Sequence, residues 1–470
     1  MEVRKNPALV FEESIMSILK VQCLNNNKKL YTEDKMDFYR IADGYAPNGV
    51  FDDIPTIIEI KYSRKTDSFY AALNSVLKAY IVNNLRTNDI QKNPFNGKKI
   101  KFLYISLLDV KDIEKIELSQ DILKYENFIV DILPISKIIS LLTHYPIEAN
   151  RLNDLISIEN KTKSIIRKIT DNASSLESKI TENDIIKKRE QDIKFLKEKL
   201  DNREITIVLG TGVSVPFGAL SWNKLVEYMY YRLNNEKFDD ENKAFEKIGN
   251  DNLCKAQYIK LELLKNKLYY SQTLYNGLYE RYSIENDYGE TSLHMISNLL
   301  RGNKIRKIIT YNYDDFLEKI LNKKNIDYSL MISKEDYQKD FMPIYHVHGY
   351  LPQNVSDEEM INYSETIILS EDDYFRLYNN SNHWEVAIQL QSFKDDICLF
   401  IGNSITDYNE KRILNYTKQK FKKHFAIFVR DQLSISDILK ISNYYFEMCN
   451  VEIIWANSVN DISVIIKSLI

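Results

Sequence analysis

Short apolar runs separated by stretches of helical period organise the C-terminal half of the chain. ITIVLG (205–210), KIIT (307–310), PIYHVHGY (343–350), TIILS (366–370), ICLFIG (397–402), HFAIFVR (424–430) and VEIIWA (451–456) each read as a buried strand. Between them, Trp222, Leu225, Val226, Met229 and Leu233 fall on one face of a helix that Ser221 is placed to cap. A long, mostly helical stretch covers about 236–300, and a further helix begins near Asp314. Ser370 with Asp373 three residues on resembles a capping box for the next one. Apolar strands alternating with helices predict a parallel sheet covered on both faces.

The N-terminal part mixes the two periods differently. IIEIK (57–61) reads as a buried strand carrying Glu59 and Lys61 on one face, followed by a helix over 68–82, a strand within 99–109, and a strand with a closing helix within 126–142. From about 151 to 200 the chain has neither Gly nor Pro, and Ile193, Leu196 and Leu200 recur at helical spacing. The expected division is therefore a domain over 1–150, a helical connector over 151–200 and a second domain over 201–470.

Composition narrows the chemistry. Of 470 residues, 44% are hydrophobic, enough for sizeable cores, and the net charge is −4, which excludes a generally basic, DNA-coating protein. The four cysteines, Cys23, Cys254, Cys398 and Cys449, form no CxxC pair. The spacing excludes a zinc ribbon and argues against a disulfide framework. Glu12 and Glu13 interrupt any apolar segment near the N-terminus, and no apolar run reaches a membrane-spanning length. The expectation is a soluble, cytoplasmic protein without a signal peptide or membrane association.

Candidate chemistry gathers at strand ends. The first strand of the C-terminal domain runs into Gly210-Thr211-Gly212-Val213-Ser214, a strand, glycine turn and helix of the kind that binds phosphate through backbone N–H groups. Tyr311-Asn312-Tyr313-Asp314, His346-Val347-His348-Gly349 and Gly402-Asn403-Ser404 follow three other strands. In an open parallel sheet, ligands bind at the carboxyl ends of strands, so four such segments would converge on one cleft. Taken singly, Asn312 also suits a turn, Asp314 a helix cap and His348 a satisfied core histidine. His346 would share a face with His348 on a regular strand, and a bend there would part them.

In order, GTGVS…ALSW, ITYNYDDFLE, YHVHGY, IILSEDDY and FIGNSITDYN resemble the sirtuin-like family of bacterial antiphage defence proteins over about residues 200–470. The resemblance implies a Rossmann-like, sirtuin-like parallel sheet with a helical insertion, and NAD as substrate. It assigns NAD contacts to Gly210, Thr211, Gly212, Ser214, Gly402 and Ser404, and catalysis to Asn312, Asp314 and His348. Asp407 matches a common family Asp that also suits a helix cap. Two departures stand out. The turn reads GTG where sirtuins have GAG, and the zinc-binding cysteines of true sirtuins are missing. The second favours hydrolysis of NAD to nicotinamide and ADP-ribose over protein deacylation, with no zinc.

Asp43 and the Glu59-x-Lys61 string resemble the PD-(D/E)XK pattern of Mrr-type restriction endonucleases. This implies an α/β restriction-endonuclease-like domain in which Asp43 and Glu59 bind Mg²⁺, Lys61 assists the attacking water, and Glu12 or Glu13 is a further acidic ligand. Lys61, Arg64 and Lys65 suit either phosphate or a solvated edge. Together the resemblances imply a defence effector that depletes NAD when activated, causing abortive infection. Its N-terminal domain would sense or cut DNA, or bind a partner defence protein, and the chain would work as a homo-oligomer or in a hetero-complex. The alternatives are a metal-dependent DNA endonuclease controlled by NAD or ADP-ribose, and a pair of binding modules.

Overall fold

The computed structural model describes residues 7–32, 42–63, 65–86, 99–116, 127–142, 145, 180–234, 247–249, 251–282, 290–333, 336, 341–379, 383–419 and 422–470. It divides into two compact units, Met1–Gln191 and Asp192–Ile470. Most of the expected connector, 151–179, and Arg64 lie outside the described residues. The remainder of the connector is the helix Glu182–Asp201, within which the boundary between the units falls.

The N-terminal unit is built on a five-stranded mixed sheet in sequence order: β1 (Tyr31–Thr32), β2 (Gly44–Ala46), β3 (Thr56–Lys61), β4 (Ile100–Ser106) and β5 (Phe128–Leu133). The first three strands pair antiparallel, and β3, β4 and β5 are parallel. A parallel pair needs a crossover, supplied for β3 and β4 by the helix Thr66–Arg86, whose Phe69 and Leu73 pack with Phe102 and Tyr104 of β4. The helix Pro7–Asn25 lies against β3.

The C-terminal unit holds a seven-stranded, all-parallel, Rossmann-like sheet. Its strands are β6 (Ile205–Leu209), β7 (Ile305–Thr310), β8 (Tyr328–Met331), β9 (Met342–His346), β10 (Ile397–Ile401), β11 (His424–Val429) and β12 (Val451–Ala456), in the order β12-β11-β10-β6-β7-β9-β8. Strands buried on both faces become largely apolar runs, as in ITIVL and VEIIWA, whose residues are all buried. Buried polar groups among them are paired. Asp396 accepts from Thr206 Oγ1 at 2.7 Å and Arg306 at 2.5 Å, and lies 3.1 Å from Lys307 Nζ.

The helical insertion between β6 and β7 contains Trp222–Asn234, Asn252–Leu263, Lys267–Tyr279 and Ser292–Arg301. Two sequence expectations need correction. TIILS (366–370) is not a strand: Ile367, Ile368 and Leu369 are buried, but Ile368 N–H donates to the His348 carbonyl, and Leu369 and Ser370 N–H donate to the Asp373 carboxylate. Tyr328–Met331, not anticipated, pairs with β9 at the sheet edge. Among the described residues, no helix is long and apolar enough to cross a membrane.

Candidate functional site

The order of strands reverses between β6 and β10, the position where an open parallel sheet forms a crevice at its carboxyl edge. The turns after these two strands meet there, backbone against backbone. Gly402 has φ +62°, and a Cβ on it would stand 2.5 Å from Val213 N. A Cβ on Gly210 would stand 2.6 Å from the Gly402 carbonyl oxygen, and one on Gly212 would stand 2.8 Å from Gly402 Cα. These glycines are therefore required by the contact between the turns. Backbone bonds tie the turns together: Gly210 N–H donates to Ile401 O and Gly212 N–H to Gly402 O, while Val213 N–H donates to Gly210 O and Ser214 N–H to Thr211 O. Thr211 opens a short 3₁₀ turn, Thr211–Val213.

Ser214 is buried and joins two further candidates. Asn312 Nδ2 donates to Ser214 Oγ at 2.9 Å, and Ser214 in turn hydrogen-bonds the Asp314 carboxyl. Burial pushes the Asp314 carboxyl up to about 6, against the lowering effect of Ser214 and of the Phe316 N–H. Asn312 Oδ1 is buried without a hydrogen-bond partner. Thus the turns after β6 and β7 bring Ser214 to Asn312, 98 positions away in the sequence, and to Asp314 beside it.

His346 belongs to the same group. Its Nδ1 lies 3.0 Å from the Asn312 carbonyl, which only accepts, so that nitrogen carries a hydrogen. Its Nε2 lies 2.8 Å from Glu318 Oε1, and Glu318 Oε2 is buried without a partner. Ser214, Thr310, Asn312, Asp314, Glu318 and His346, with Leu209, Leu293 and Leu317, line one cleft. The cleft has room for about one water molecule.

His348 is placed differently. It follows the end of β9, is buried, and is not among the residues lining that cleft. Its ring meets the edges of Tyr311 and Tyr374, with centroids 4.7 and 5.8 Å away. Its Nε2 has no partner. Burial holds its pKa below the usual value, against the pull of Asp407 and Asp373. Asp407 caps the helix Tyr408–Tyr416 by accepting from Glu410 N–H, and also accepts from the Tyr374 hydroxyl. Ser404 is exposed and its hydroxyl pairs with Thr406 at 2.8 Å. The following residue, Ile405, has φ +50°, and its N–H is held by Asn403 Oδ1. A β-branched residue in that region is strained, which marks this turn as tightly constrained.

Sequence reasoning missed Glu318 and left His346 secondary to His348. The signal for Glu318 was faint: it is the last residue of ITYNYDDFLE, one helical turn beyond Asp314, on the face that looks back at the strand ends.

In the N-terminal unit, Asp43, Glu59 and Lys61 are also brought together. Asp43 Oδ2 accepts from Ile60 N–H at 2.7 Å, and Lys61 Nζ lies 2.7 Å from Glu59 Oε1 and 3.7 Å from Asp43 Oδ2. Burial opposes the Lys61 charge, yet Glu59, Asp43 and Glu12 push its pKa up to about 12. Glu12 and Glu13 are buried on the first helix. Among the described residues, no group of three or more His, Cys, Asp or Glu side chains is arranged to hold a metal ion. The set brings two carboxylates together, with Lys61 in contact with both.

Residues 306–454 match the SIR2-like domain family, a span from β7 to β12 that takes in Asn312, Asp314, Glu318, His346, His348 and Gly402. A comparison with curated proteins found no match. Among solved structures, one described as "Structural Basis for the Mechanism and Regulation of Sir2 Enzymes" is similar at 12% identity and a TM-score of 0.30, over 60% of this chain and 98% of that one. The C-terminal unit thus carries a SIR2-like domain over residues 306–454, and the N-terminal sheet is of unassigned fold.

Proposed function

We propose that the C-terminal unit binds NAD⁺ and hydrolyses its nicotinamide–ribose bond. The observation that carries this reading is the linked set Asn312–Ser214–Asp314 at the carboxyl edge of the sheet, with the buried Asn312 Oδ1 left for a ligand. The match to the SIR2-like family supports the choice of NAD. In the reaction the C1′–N bond breaks, nicotinamide keeps the electron pair and leaves neutral, and water adds to C1′ of the oxocarbenium-like ribose. Asn312 positions the ribose or the water, and Asp314 orients the turn and its charge toward the developing cation. His348, kept neutral by burial, accepts a proton from a ribose hydroxyl. The Gly210–Ser214 and Gly402–Ser404 turns are the proposed seat of the phosphates and the second ribose.

The cleft has room for about one water molecule, so dinucleotide binding requires the turns to part. That suits an enzyme held inactive at rest and released by a trigger, as an antiphage effector acting through NAD depletion must be. The N-terminal unit would sense nucleic acid or a partner protein. The test follows NAD loss and nicotinamide release by wild type, Asn312→Ala and His348→Ala, with and without DNA, Mg²⁺ and phage-infected lysate. Loss of NAD in wild type alone supports the reading. NAD left intact in every condition overturns it.

A second reading, DNA cleavage by the N-terminal unit under NAD control, is favoured by the meeting of Asp43, Glu59 and Lys61 on and beside β3. DNA cutting that Glu59→Gln abolishes, with NAD intact, would promote it.

A further inference from the structure

The cleft contains an acid–histidine pair that neither the motif reading nor the SIR2-like match assigns. Glu318 and His346 come from different elements, the helix Phe316–Lys323 and the end of β9, and both are almost fully buried. Buried carboxylates and imidazoles are normally satisfied on every polar atom. His346 is: one nitrogen donates to the Asn312 carbonyl and the other meets Glu318 Oε1. Glu318 is not: Oε2 has no partner and the residue lines the cleft. Asn312 Oδ1, on the same cleft, is the other acceptor without a partner. A cleft holding two buried acceptors in need of donors fits a hydroxyl-bearing ligand or a water molecule. His348, outside the lining, is not placed to serve that water.

Resting on the NAD-cleaving reading above, we propose that Glu318 is the base for the attacking water, with His346 as its positioning residue. With His346 holding a hydrogen on each ring nitrogen, Glu318 is a carboxylate, and as the water oxygen bonds to C1′ one O–H proton passes to Glu318 Oε2. The C1′–N bond breaks with its electron pair retained by nicotinamide. The proton then returns to solvent, so NAD⁺ and water give ADP-ribose, nicotinamide and H⁺. His346 fixes both partners at once: Nε2 anchors the carboxyl, and Nδ1 anchors the main chain that presents Asn312.

The test compares wild type, Glu318→Gln, Glu318→Asp and His346→Gln under the condition that elicits wild-type turnover, measuring kcat and KM against pH, with thermal unfolding alongside. Glu318→Gln is expected to lower kcat about 100-fold or more with KM within about threefold, and to remove the acid limb of the kcat profile. Glu318→Asp should recover about tenfold of that loss, and His346→Gln should displace the limb. Glu318→Gln that keeps kcat within about threefold, with the acid limb intact, overturns the assignment alone. Equal losses in both Glu318 variants, matched by a lower Tm, reduce the residue to a structural role and also overturn it. Wild type that releases no nicotinamide in any condition overturns the NAD reading, and this assignment with it.

Discussion

In the N-terminal unit the buried acids are closed on a cation: Lys61 Nζ is 2.7 Å from Glu59 and 3.7 Å from Asp43, and Asp43 also accepts a backbone N–H. In the C-terminal unit the cleft keeps two buried acceptors, Asn312 Oδ1 and Glu318 Oε2, without partners. An unsatisfied buried acceptor costs about 1–3 kcal/mol, so a fold keeps it only where something else is gained. The first arrangement stabilises its own sheet. The second reads as a site waiting for donors. The two clusters differ in the partner that holds the carboxylate, a lysine against Glu59 in the first and a histidine against Glu318 in the second.

Asn312→Ala is the strongest way to break that contrast. Nicotinamide release should fall by about 100-fold or more, while stability changes by no more than about 1 kcal/mol, because the residue removed carries an unsatisfied atom. Single-turnover release and thermal unfolding on the same samples check this. A large loss of stability would instead make Asn312 part of the packing.

The next effect is a dependence on pH. The Asp314 carboxyl is raised from 3.8 to about 6, so the folded state binds the proton more tightly than the unfolded state. Its contribution to stability is complete below about pH 4 and is lost as pH rises through about 6, by roughly 1–3 kcal/mol. Asp314→Asn should remove that part of the slope. Urea unfolding read by tryptophan fluorescence suits the purpose, since Trp222, Trp384 and Trp455 are the chain's three tryptophans and all lie in the C-terminal unit. Parallel slopes for the two proteins would contradict the assignment.

The smallest effect belongs to the N-terminal unit. Lys61→Ala should destabilise it by about 1–2 kcal/mol, between the values of exposed and buried ion pairs, because two buried carboxylates lose their cation. Circular dichroism in urea would register the shift. A neutral or stabilising result would mean that the lysine serves a ligand and not the sheet.

Much of the architecture could be read from the chain. ITIVL, ICLFI and VEIIWA are apolar at all positions but Thr206 and Glu452 because strands buried on both faces admit little else, and they form β6, β10 and β12 as expected. The polar motifs after them mark strand ends because the apolar run stops where the sheet stops. TIILS has the same composition yet joins no ladder, since its N–H groups are taken by the His348 carbonyl and the Asp373 side chain. Composition reports burial and is silent on which acceptor a backbone donor will find. Tyr328–Met331 escaped notice for the converse reason: an edge strand of four residues carries too short a pattern to stand out.

The sequence by itself determined the division into two α/β parts, the alternation behind the parallel sheet, and the neighbourhood of Asn312 and Asp314 at a strand end. These follow from local periodicity and from the rule that a chain leaving a buried strand must turn polar. Only the tertiary structure decided that Gly210, Gly212 and Gly402 serve one another's close approach, that Ser214 links Asn312 to Asp314, and that His346 and Glu318 meet at the cleft. Each of those depends on distances between segments far apart in the chain, and a hydrogen bond formed across such a separation leaves no period in the sequence.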